Sequence, residues 1–77
     1  MDGENLADLF DQTHDAARIF LRVAQEIDDL TERLEHRTKD TPAWYGGTRA
    51  RVEARATLEQ AEELRCVLEE LGERLGG

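Results

Sequence analysis

Asp11, His14 and Asp15 stand at i, i+3 and i+4 in a stretch of helical pattern, which puts an imidazole and two carboxylates on one helix face. Such a set could hold a metal weakly, or present a histidine that accepts a phosphoryl group beside a neighbouring acid. A solvated polar face is the simpler reading. Glu32 and His36 share the i, i+4 spacing, but heptad phase turns both away from the apolar seam. They therefore do not make the inward-pointing Glu/His set of a bundle-core metal site. Cys66 has Arg65 beside it and no histidine close in sequence to lower its pKa, so it reads as an inert surface thiol. The chain has no serine, no glycine-rich phosphate loop and no convergent acid–base set. The expectation is a protein with no catalytic residues, no metal ligands and no cofactor, and not an enzyme.

The elements that carry these residues meet at Thr41-Pro42-Ala43-Trp44-Tyr45-Gly46-Gly47-Thr48, which holds the only proline, tryptophan and tyrosine. Proline disfavours helix in the residue before it, and a Gly-Gly pair frees the backbone for a reversal. The sequence therefore predicts an all-α antiparallel helical hairpin in a single domain over 1–77, with a hinge at 39–47. Helix one is expected over about 4–38 with Asp2 as its N-cap, and helix two over about 48–75, capped by Thr48 and ended by Gly76-Gly77. On helix one Leu6, Leu9, Thr13, Ala16, Phe20, Val23, Ile27, Leu30 and Leu34 alternate steps of three and four, a coiled-coil-like seam. Phe10, Ala17 and Ala24 form a second stripe beside it, and Ile19 and Leu21 widen the apolar surface further. Helix two answers with Ala50, Ala54, Thr57, Ala61, Leu64, Leu68, Leu71 and Leu75, with Leu58 and Val67 alongside.

One partner helix cannot cover so wide a face, and a 77-residue chain has little core to spare. Two hairpins are expected to pair as a homodimeric four-helix bundle through Phe10, Ile19, Phe20, Leu21, Val23, Ile27, Leu64, Val67, Leu68 and Leu71.

The net charge of −8 is unevenly placed. Residues 1–18 and 59–77 carry −4 each, while 19–58 balances seven acids against seven bases. Folding at the hinge gathers the acids at the open end of the hairpin. Asp8, Asp11, Asp15, Glu62, Glu63, Glu69 and Glu70 become a candidate docking surface for a protein with a basic face. Carboxylates arrayed on neighbouring helices could imitate nucleic-acid phosphates and block a basic groove, as small phage-encoded inhibitors do, or serve an adaptor. Direct nucleic-acid binding at that end is disfavoured by charge. The arginines near the hinge have Glu32, Glu35, Asp40 and Glu53 as nearby partners, so internal pairing is their expected use. No apolar run spans a bilayer, the acidic N-terminus is unlike a signal peptide, and a single cysteine makes no internal disulfide. The expected setting is cytoplasmic. Nine arginines beside the single Lys39 suit a GC-rich bacterial or phage genome.

Trp44 and Tyr45 either cap the bundle end against Leu34 and Val52 or anchor a partner, since Trp, Tyr and Arg dominate interface hot spots. Trp44-Tyr45-Gly46, a W-x-G between two long helices, resembles the WXG family of small proteins exported by type VII secretion. Val52 sits where that family has an apolar residue soon after the motif, whereas helix two has no tyrosine for the family's tyrosine-x-x-x-acid export signal. That resemblance implies a dimeric helical substrate exported without a signal peptide. His14-Asp15 in turn resembles the phosphoacceptor hairpin of histidine kinases, which implies phosphotransfer through His14.

Overall fold

A computed structural model describes residues 5–76. Two α-helices, α1 (Leu6–Thr38) and α2 (Trp44–Gly76), pack antiparallel as a hairpin. Each has 33 residues, about 50 Å at ~1.5 Å per residue.

The helix starts lie where local hydrogen bonding can satisfy the first backbone donors. The N-cap of α1 is Asn5, whose side-chain oxygen accepts the Asp8 N–H at 2.8 Å. Asp2, expected in that role, lies outside the described residues. At the other end of the hairpin the turn is shorter than the sequence suggested. Asp40 takes the left-handed conformation (φ 69), which aspartate tolerates better than most residues, and α2 begins almost at once. Thr41 caps it: its hydroxyl oxygen accepts the Ala43 N–H at 3.1 Å, and its carbonyl accepts the Trp44 N–H at 3.1 Å. Pro42 follows the cap, where a fixed φ and a missing N–H cost nothing. The expected hinge at 39–47 and cap at Thr48 are corrected accordingly. Trp44 to Thr48 belong to the first turns of α2, and Thr48 is a half-buried helical residue.

Gly46 and Gly47 are helical, so they do not make the reversal. Gly47 is buried because α1 passes close to it. A Cβ there would strike the Thr38 hydroxyl and come within 3.3 Å of the Glu35 Cα. Gly72 makes a similar approach near the open end, where a Cβ would come within 2.9 Å of the Phe10 ring. The two sites differ in what can yield. Gly72→Ala meets only the far end of a side chain, which can tilt away, and removes a helix penalty of roughly 1 kcal/mol, so it should raise the melting temperature. Gly47→Ala meets backbone and should lower stability by about 1–3 kcal/mol. Parallel urea melts of the two variants check the opposite signs.

The contact between the helices is made by small residues. Ala17, Ala24, Ala54, Ala61 and Leu68 are the buried apolar side chains, and Ala61 is fully enclosed. Around them Phe10, His14, Leu21, Asp28, Thr31, Glu35 and Thr38 of α1 meet Arg51, Leu58 and Gly72 of α2 as half-buried neighbours. The second stripe of α1, not its leucine seam, therefore faces α2. Alanines and glycines let two backbones close together, and the bulky seam residues are left on the flank.

Candidate functional site

The flank they form is the main uncovered feature of the hairpin. Leu6, Leu9, Phe20, Val23, Ile27, Leu30 and Leu34 on α1, and Leu64, Leu71 and Leu75 on α2, are each between 39% and 64% exposed. Leu6, Leu9, Phe10 and Thr13 line one shallow groove of about 190 Å³ with Leu68, Leu71 and Leu75. The two leucine stripes thus open on the same side of the hairpin, and the seven-residue repeat keeps them there along its length.

The size of this surface is out of proportion to the chain. Accessible area is 6036 Å², where a compact monomer of 8.8 kDa exposes about 4,800 Å². The body measures 56 × 25 × 14 Å, one helix thick.

Of the residues expected to mediate self-association, Phe20, Val23, Ile27, Leu64 and Leu71 lie on this flank, with Ile19 and Val67 exposed at its border by helical phase. Phe10, Leu21 and Leu68 are engaged within the hairpin, although Phe10 and Leu68 also line the floor of the groove. Phe10 is half-buried against Gly72, Leu21 is half-buried and Leu68 is buried.

The opposite flank is ionic. Asp28 accepts two hydrogen bonds from the Arg55 guanidinium, at 2.9 and 3.3 Å, and Arg51 reaches Glu35 at 3.5 Å and Glu32 at 3.7 Å. Hydrogen bonding to Asp28, and then its charge, raise the Arg55 pKa above the ordinary arginine value. Arg55 is exposed and solvent screens such pairs, so they select which turns face each other more than they hold the helices together. Internal pairing of hinge-side arginines agrees with the sequence for Arg51, whereas Arg55 pairs with Asp28, which nothing local in sequence marks.

The acidic residues Asp8, Asp11, Asp15, Glu62, Glu63, Glu69 and Glu70 are all exposed, on both helices of the open half. Asp15 lies 3.6 Å from Arg18, and Glu69 lies 3.1 Å from Arg65. His14 turns toward the hairpin contact and stacks on Phe10 with ring centroids 5.8 Å apart. Asp11 and Asp15 stay exposed, and no group of three potential metal ligands comes together among the described residues. Cys66 is exposed. Trp44, 42% exposed, lines a broad depression near the hinge with Leu30, Leu34, Arg33, Arg37 and Arg51, while Tyr45 is 74% exposed. No described helix is long and apolar enough to cross a membrane.

Comparison with known proteins finds no family model, no curated protein and no solved structure that matches the chain.

Proposed function

We propose that this hairpin is a non-enzymatic interaction module that pairs with a second copy through its leucine flank and acts by occupying a partner protein. The observation that carries the reading is the apolar flank, which neither helix covers. In water that surface favours association, at roughly 25 cal/mol per Å² of apolar area removed. A face-to-face pair buries it as the core of a four-helix bundle. The acidic open half then stays at the surface, where its carboxylates suit a basic protein face, in the manner of an inhibitor, an adaptor or a phosphate mimic.

Light scattering should give twice the 8.8 kDa chain mass, and a monomer at micromolar concentration would defeat the pairing. The partner reading is tested by pull-down from the native cell extract at low and high salt. A Glu62→Gln, Glu63→Gln, Glu69→Gln, Glu70→Gln variant serves as the control. Exposed charges are screened beyond ~8 Å at physiological ionic strength, so capture should weaken with salt and with the substitutions. Capture indifferent to both sinks it.

A second reading rests on Trp44. The W-x-G lies inside the first turn of α2 and not in the inter-helix turn that the resemblance expects. It still adjoins a tight elbow and its indole is partly exposed, which supports a WXG-like protein exported by type VII secretion. Its test is detection in culture supernatant that depends on that secretion system. Phosphotransfer at His14 is less well supported, because the ring packs on Phe10; acid-labile phosphate on His14 would revive it.

A further inference from the structure

We infer that the second copy lies head to tail, with the open end of one hairpin over the hinge end of the other. This rests on the pairing proposed above and adds its direction. The area suffices in either direction: a face 56 by 25 Å has a footprint of about 1,400 Å², against the ~800 Å² per partner of a standard interface. Side-chain volume does not choose. Head to tail, the small Thr13 and Ala16 meet Leu30 and Ile27 of the other copy. Head to head, α1 crosses α2 of the other copy, and Ile27 and Leu30 meet Thr57 and Ala50.

Charge chooses. Among the described residues of the open half, Asp8, Asp11, Asp15, Glu59, Glu62, Glu63, Glu69, Glu70 and Glu73 stand against Arg18, Arg65 and Arg74, a net −6. The hinge half, 19–58, is neutral, with Arg33 and Arg37 on α1 beside the hinge end of the leucine flank. A head-to-head pair stacks −6 over −6 on neighbouring helices about 8–10 Å apart, a repulsion that is strongest at low salt and reduced by screening at physiological salt. Head to tail, each acidic half lies over a neutral half, and Asp8 comes near Arg33 and Arg37 of the other copy. Like charge brought face to face penalises the first order and leaves the second.

Cys66 and Glu73 make the test direct, because they are seven residues apart on the outer face of α2 and both exposed. One sample carries a spin label on native Cys66. The other carries it on Glu73→Cys in a Cys66→Ala background, with circular dichroism and light scattering confirming helix and mass. Head to tail, the step from 66 to 73 moves both labels away from the two-fold axis, so the interlabel distance should grow by roughly 10–15 Å, given ~1.5 Å of rise per residue. Equal distances within a few Å mean head to head and overturn the direction alone. No dipolar coupling together with a monomer mass overturns the pairing itself, as does coupling seen only after another protein is added.

Discussion

Ile27→Asp is expected to convert the proposed dimer to an 8.8 kDa monomer that keeps its helix content. In the isolated hairpin Ile27 is 43% exposed, so the substitution opens no cavity between the helices and leaves a carboxylate in contact with water. In the bundle the same carboxylate would be enclosed against the other copy with nothing to pair with. Symmetry places two such groups in one interface. An unpaired charge in an apolar setting is among the costliest single changes. The dissociation constant should rise at least about 100-fold, or ~2.7 kcal/mol. Light scattering over a dilution series measures this directly. A second signature is thermal: a dimer that folds by associating melts higher at higher concentration, and the variant should lose that dependence. Val52→Asp is the control, since Val52 is 61% exposed on the outer side of α2 and should leave the mass unchanged. Dissociation by both variants, or by neither, would remove the leucine flank as the site.

Much of this architecture could be read from residue spacing, and its misreadings share one cause. The steps of three and four fixed two helices and an elbow, because nothing but a helix aligns Leu6, Phe20 and Leu34 with Leu9, Val23 and Leu30. The seam of helix one is expected to meet helix two, whose own seam already holds Ala54 and Ala61, while Ala17 and Ala24 are set on a stripe beside it and Phe20, Val23 and Ile27 are also expected to pair two hairpins. Ala17 and Ala24 with Ala54 and Ala61 repeat at seven residues and form the closer contact, so the leucines were displaced outward. The signal lay in the small residues. The elbow shows the same thing: Gly46-Gly47 reads as a flexible pair, whereas Gly47 is small because α1 lies against it. Thr41-Pro42 already spelled a cap followed by a first-turn proline. What spacing could not supply was the pairing across the hairpin. Asp28 and Arg55 are 27 positions apart, and only the folded register brings them together.

That register depends on Ala61, and Ala61→Leu is expected to be the most destabilising single change in the hairpin. Ala61 has no exposed surface, and Ala24, at 2%, is nearly as enclosed in the same contact. A leucine needs room that exists only if the helices move apart. Separation breaks the contacts of Ala17, Ala24 and Ala54 and draws Arg55 away from Asp28. Overpacking of this kind costs typically 1–3 kcal/mol and occasionally more. For a domain of this size each kcal/mol is about 4–8 °C, so a fall of roughly 10–20 °C should appear in a thermal melt. Leu64→Ala gives the contrast. Leu64 is 39% exposed in the hairpin, so trimming it should cost the isolated fold little and weaken association instead. If the two substitutions exchanged effects, with Ala61→Leu harmless to the fold and Leu64→Ala unfolding it, the helices would be closing on leucine. The flank proposed as the docking surface would then be the hairpin's own core.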